Sequence, residues 1–415
     1  MPTPTLATPA RALRGAAVAA DAATLRRQFS LDPAVHFLNH GSYGATPRPV
    51  QRAAQRLRAQ MERQPVAFMQ SDLPVLMAQA RGALAAMLNA DASNVVFVSN
   101  ATMGVNIAAR AVETTLAAGD EVLTTNHEYG ACSNAWEAVC ARTDARYVRC
   151  PLPMPDEAGG DAQSLVETFW SHVSPRTRVL YLSHISSPTA LRLPIEPLLA
   201  RARAAGIFTI IDGAHAPGQI DLDLTTLDAD FYTGNCHKWL CAPKGAGFLH
   251  VRAAVQHLVQ PLVVSWGNGP ERQFFSGNDM QDALFWSGTN DFSAWLAVPA
   301  ALRFQRTWAW DAVRARASAL LDTWLPHYAA IVGLPPVYAA GDNPLRPPQV
   351  AVASLPAWVD AKSLKARLLD EYAVEIPVIT WRDRKFVRVS IQGYTSEDDL
   401  NALADGLRAL VTVAA

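Results

Sequence analysis

The sequence predicts an α/β protein: a mostly parallel seven-stranded sheet covered by helices, followed by a smaller C-terminal α+β domain. Three observations carry this. Short, nearly all-apolar runs recur through the middle of the chain, amphipathic helical stretches lie between several of them, and this alternation stops near residue 292. Strands that are apolar throughout, rather than alternating, belong to sheets covered on both faces.

The predicted strands are Val95–Ser99, Glu121–Thr125, Arg146–Cys150, Arg178–His184, Phe208–Asp212, Asp230–Thr233 and Gly247–Val251. Each is short and rich in β-branched or aromatic residues. Gly104–Leu116, Ala131–Arg142 and Ile195–Ala205 carry the intervening helical periodicity. Beyond them, Ser293–Ile331 reads as helical, and Gly333–Pro348 as a loop dense in Pro and Gly. Val350–Ser354 and Phe386–Ile391 read as strands, and Ala361–Tyr372 as a helix. A closing helix spans Ser396–Val411, with Ser396 and Asp399 spaced as a capping box. We expect an N-terminal extension over 1–35, a large ligand-binding domain over 36–292 and a small domain over 293–415.

Composition narrows the function classes. A formal net charge of -1 leaves no long-range field for capturing nucleic acid or an anionic membrane, so neither is expected as a partner. Five cysteines, odd and sparse for 415 residues, argue against a disulfide framework and against a zinc site. No apolar run is long enough to span a bilayer. The apolar stretch within Met1–Ala23 is too short for a secretory core, so we expect a mobile extension and a cytoplasmic protein.

In open α/β sheets, ligands sit beyond the carboxyl ends of the strands. After Val95–Ser99 comes Asn100-Ala101-Thr102-Met103-Gly104, opening a helix, which reads either as an anion site or as a plain cap. After Phe208–Ile211 comes Asp212-Gly213-Ala214-His215. A carboxylate there needs a cation, which a protonated pyridine nitrogen or an ordinary salt bridge would supply equally well. Next comes Thr233-Gly234-Asn235-Cys236-His237-Lys238-Trp239. A single lysine is normally a solvated surface charge, but Lys238 follows a strand inside a glycine-rich turn, where a lowered pKa would make it a nucleophile. Lys244, in Pro243-Lys244-Gly245, competes with it. No G-x-G-x-x-G follows a strand, which weighs against a nicotinamide enzyme, and no P-loop is present.

These segments resemble the class V aminotransferases of fold type I, enzymes dependent on pyridoxal 5′-phosphate (PLP). The residues that carry the resemblance are Asp212-Gly213-Ala214-His215, Asn235-Cys236-His237-Lys238 and Pro243-Lys244-Gly245. Phe37–Ala45 and His184–Pro194 are similar to the isopenicillin N epimerase-like branch, and the likeness extends from about His36 to Leu407. The resemblance implies that Lys238 holds PLP as a Schiff base and moves a proton at Cα of an amino-acid substrate. It implies that Asp212 pairs with the pyridinium, that His215 and Ser187 lie near the ring oxygen, and that Ala101, Thr102, Asn235 and His237 hold the phosphate. Of the two residues offered for the ring face, His127 is expected to stack and Tyr129 to act as a substrate-facing acid. Arg388 is expected to grip the substrate carboxylate, with Asn39, His40 and Gly41 lining the substrate side. Gly288 and Thr289 match a segment that reaches the neighbouring subunit's phosphate, implying a homodimer. No cysteine follows Cys241, which weighs against a cysteine desulfurase.

The reading that follows is an isopenicillin N epimerase-like enzyme acting at Cα. The alternatives are a C–S β-elimination lyase, an aminotransferase, and a catalytically silent PLP-binding protein.

Overall fold

The computed structural model describes residues 20–274, 276–339, 341 and 343–411. Most of the expected extension, residues 1–19, lies outside them. The chain enters as a helix at Ala22–Arg26 and then contributes the two-residue strand β1 (His36–Phe37). Leu25 and Phe29 are buried, with Phe29 packing edge-on against Phe304 and Tyr394.

The central sheet uses β2 (Val95–Val98), β3 (Glu121–Thr125), β4 (Arg146–Cys150), β5 (Thr177–Ser183), β6 (Phe208–Asp212), β7 (Phe231–Asn235) and β8 (Gly247–Val251). Their order is β2-β8-β7-β6-β5-β3-β4, so all seven expected strands form one sheet. It is mostly parallel, as expected; β8 alone runs antiparallel to both its neighbours, β2 and β7. The reason is local. The chain leaves β7, turns through Cys236–Ala246 and returns directly as β8, with no crossover helix to restore direction.

Flanking helices cover both faces, and two long ones near the N-terminus, Arg48–Arg63 and Leu73–Met87, were not anticipated from the sequence. The expected single helical stretch Ser293–Ile331 is three helices: Ser293–Leu296, Val298–Thr307 and Trp310–Val332. Ala309 stands at φ 47°, a left-handed conformation that no α-helix can run through.

The C-terminal layer is an antiparallel sheet of β9 (Val350–Leu355), β11 (Val378–Trp381) and β12 (Arg384–Ser390), in the order β11-β12-β9. Strand β11 was not anticipated. The helices Trp310–Val332, Ala361–Tyr372 and Glu397–Val411 pack about this sheet. The expected capping box is present: Ser396 N–H donates to Asp399 Oδ2 (2.8 Å), and Asp399 N–H donates back to Ser396 Oγ (3.3 Å). A parallel pair of β1 with β10 (Val374–Glu375) ties the N-terminal segment to this layer. Among the described residues no helix is long and apolar enough to cross a membrane. All five cysteines are buried and free.

Candidate active site

The carboxyl ends of β2, β5, β6 and β7 open onto one cavity of about 350 Å³. Its lining takes Ala101 and Thr102 from the helix after β2, Asp212 and His215 after β6, and Asn235, His237 and Lys238 after β7. Tyr129 and Ser187 complete the expected residues at its wall.

The phosphate end is the start of helix Ala101–Glu113. Asn100 caps it, accepting from Met103 N–H at 2.9 Å, and Asn235 Oδ1 accepts from Ala101 N–H at 2.9 Å. A Cβ at Gly104 would fall 2.0 Å from Thr233 Oγ1, so only glycine lets this helix lie directly on β7. The Ala101, Met103 and Gly104 amides of that first turn are already satisfied, so the Thr102 amide and the helix dipole are what would favour an anion there.

Lys238 is half-buried, and desolvation, with Arg388 nearby, lowers its pKa to about 8. Its Nζ lies 3.0 Å from His215 Nε2, while Trp239 Nε1–H points at His215 Nδ1 from 3.3 Å. Indole nitrogen can only donate, so Nδ1 accepts and the neutral ring carries its proton on Nε2, which can donate to Lys238 Nζ only when that amine is deprotonated. Burial and the adjacent Lys238 hold the His215 pKa far below its usual range, which keeps the ring neutral. Lys244 also lines the cavity, but its Nζ donates to Gly44 O at 2.8 Å. That carbonyl occupies Lys244, whereas Lys238 faces the cavity floor.

Asp212 is buried beneath the same floor and its pKa is raised by burial. Oδ1 accepts from Ala214 N–H at 2.9 Å, and Oδ2 has only Tyr181 Oη at 3.4 Å and Cys132 Sγ at 3.6 Å. A buried carboxylate this thinly satisfied fits a cationic ring nitrogen.

Arg388, on β12, is not itself among the lining residues: it lies buried behind Ser42 and Ser187, which do line the cavity. Its Nη1 donates to Ser187 O (2.5 Å) and Oγ (3.1 Å), its Nη2 donates to Ser42 Oγ (3.0 Å), and its buried Nε has no hydrogen-bond partner. Burial lowers its pKa to about 10, and among the described residues it forms no ion pair with a carboxylate. A guanidinium without a carboxylate partner could pair with an anionic group if Ser42 or Ser187 gave way.

Some expected residues lie elsewhere. His127 is not at the cavity: Nδ1 is 2.8 Å from Thr189 Oγ1, Nε2 is 3.0 Å from Leu152 O, and the ring stacks on Trp381. The exposed Tyr129 takes the wall position instead. Asn39, His40 and Gly41 stand behind the lining, where Ser42 and Tyr43 face the cavity. His40 bridges Tyr394 Oη (2.8 Å) and Lys238 O (3.0 Å), so it braces the lysine backbone. Thr289 borders a separate groove with Trp266, Phe274 and Trp286. Ser42, Tyr43, Ser99 and Ser183 are lining residues to which the sequence reading assigned no role.

A family model described as aminotransferase class-V matches residues 45–403. The chain belongs to that family. It is 38% identical over 395 residues to an isopenicillin N epimerase of Amycolatopsis lactamdurans, covering 94% of this chain and 98% of that protein. It is 34% identical over 401 residues to the isopenicillin N epimerase of Streptomyces clavuligerus, with 94% and 98% covered. These two relatives bear out the expected branch. Among solved structures, the cystine C–S lyase C-DES in complex with cysteine persulfide superposes with a TM-score of 0.75 at 22% identity, covering 91% of this chain and 98% of that one. That likeness bears out fold type I. PLP, the cofactor expected from the sequence, accords with the family and fits this cavity. Lys238 would hold it, Asp212 would face its ring nitrogen, and the first turn after Asn100 would take its phosphate.

Proposed function

We propose that this protein is a PLP-dependent, isopenicillin N epimerase-like enzyme that inverts Cα of an amino-acid substrate. The observation that carries the reading is a depressed-pKa lysine in the cavity with a buried arginine just behind its Ser42 and Ser187 wall that, among the described residues, has no carboxylate partner. PLP, when bound, supplies an electron sink for the carbanion left by proton loss. Arg388 would hold the substrate carboxylate and so choose which Cα bond is aligned for cleavage. Lys238, with a pKa near working pH, would take the Cα proton on its own face. Inversion needs a proton from the other side, and the Tyr129 phenol, at the wall of the same cavity, is the group we assign to it.

A second reading, β-elimination of a cysteine conjugate, uses the same first proton transfer and differs only in what leaves Cβ. Incubating the PLP-loaded protein with D- and L-amino acids and cysteine conjugates in D2O separates the outcomes. Solvent deuterium at Cα with inversion supports the epimerase. Pyruvate with ammonia replaces it with the lyase, accumulation of pyridoxamine phosphate with a transaminase, and no exchange with a silent PLP binder. We further propose a cytoplasmic homodimer in which Gly288 and Thr289 complete the partner subunit's phosphate site. The distance of Thr289 from its own chain's cavity supports this, and equilibrium sedimentation tests it.

A further inference from the structure

Glu128 is a buried carboxyl, one residue before the wall residue Tyr129, to which neither the resemblance nor the proposed reaction gives a role. Its Oε1 accepts from Thr125 Oγ1 at 2.7 Å and its Oε2 from Ser183 Oγ at 2.6 Å. Ser183 lines the cavity and is the register partner of Asp212 across β5 and β6. Partners in a parallel pair present their side chains to the same face, so Ser183 and Asp212 stand side by side at the cofactor end. The titratable groups around Glu128 are Asp212 on β6, Tyr181 on β5, Tyr147 on β4 and Cys132 on the helix Gly130–Thr143; none of them is a cation.

We propose that Glu128 is a positioning residue for the cofactor, acting through Ser183 to set whether the hydroxyl beside Asp212 presents a lone pair or a proton to the ring. An ionised Glu128 can only accept, so it draws the Ser183 proton inward and leaves the serine oxygen as a second acceptor beside Asp212. That arrangement suits a protonated ring nitrogen. A neutral Glu128 can donate to Ser183, which frees the serine proton to point into the cavity and makes that edge hostile to a ring N–H. Burial, with the Asp212 charge adding to it, raises the Glu128 pKa to about 7 in the cofactor-free protein. A ring cation placed beside the pair reverses the balance and favours the anion. Cofactor binding is thereby coupled to loss of the Glu128 proton near neutral pH.

This rests on the PLP reading, and the test separates the two. The dissociation constant of PLP is measured across pH by absorbance for the cofactor-free wild type, Glu128→Gln and Ser183→Ala. Lys238 titrates in all three, so only differences between the profiles report on Glu128. Between about pH 8 and pH 6 the wild-type constant should weaken roughly tenfold more than that of Glu128→Gln, since a group with pKa near 7 must give up its proton at the lower pH. Ser183→Ala, which keeps the carboxyl but removes its link to the cavity, should lose part of that excess and carries the test if Glu128→Gln fails to fold. Parallel profiles for wild type and variants overturn the proposal while leaving the PLP reading intact. A wild type that takes up no PLP on Lys238, judged by borohydride fixation, overturns both.

Discussion

On the floor of the cavity Lys238 and Trp239 both meet the His215 ring; behind the Ser42 and Ser187 wall, Arg388 is held by those two serines, and among the described residues its Nε has no hydrogen-bond partner. The floor is organised before anything binds, because the Trp239 indole sets the tautomer of His215, and burial keeps that ring neutral and lowers the Lys238 pKa. The substrate side is organised around a gap. Its serines are placeholders that a carboxylate can displace, since a charge-assisted bidentate pair outweighs a hydroxyl contact. On the proposed reading, the floor would set the chemistry and the Arg388 side the selectivity.

The sharpest break in this comparison comes from the floor. Lys238→Ala should abolish borohydride fixation of PLP, seen by mass spectrometry, and lower turnover by about 10³–10⁴-fold. Arg388→Ala should raise KM for the substrate by about 10²-fold while PLP uptake stays unchanged. If PLP uptake fails as well, the two sides are not separable. Asp212→Asn should divide function from stability: turnover falls by about 10²-fold, yet the cofactor-free protein melts higher, by about 1 kcal/mol, because a buried carboxylate is gone.

Acid should act on the floor through its histidines. Burial lowers His40 to about 3 and His237 to about 4, and holds His215 far below its usual range. Below about pH 6.5 the unfolded chain takes up protons that these folded groups refuse, so stability falls as pH falls. Urea midpoints measured from about pH 7 to pH 5 should decline accordingly. The smallest effect belongs to the substrate side: Ser42→Ala should change KM by less than about threefold, and a larger rise would show that Ser42 aims Arg388 rather than keeping its place.

Much of this was readable from residue order. Strands β3, β4, β6 and β8 match their expected bounds: β3, β6 and β8 are buried almost throughout, as runs rich in apolar or β-branched residues, while β4, a partly exposed edge strand, is marked by Tyr147 and Val148 instead. Asp212, His215, His237 and Lys238 were legible for a related reason: each follows such a run, where ligands bind. The exchange of His127 for Tyr129 was not. His127 N–H bonds to Thr125 Oγ1 at 3.1 Å, and this tight turn sends the imidazole back toward Trp381, a β11 residue 254 positions away in the chain. Ser42 and Tyr43 were missed similarly, since a four-residue helix leaves the facing of its side chains to tertiary packing. Strand β11 is only half buried along most of its length, so it lacks the signal that marked the others. For Glu128 a signal existed, an acid just past an all-buried strand.

The hydrogen bond from Arg388 to Ser42 joins residues 346 positions apart. Contacts of such long sequence separation are slow to form, and β12 leaves the ribosome after every strand of the seven-stranded sheet. The seven-stranded sheet, with Lys238 in place, can therefore assemble while the substrate clamp does not yet exist. A nascent chain would acquire the yellow colour of bound cofactor before it acquires a grip on amino acids, and the interval between the two would time the docking of the C-terminal layer.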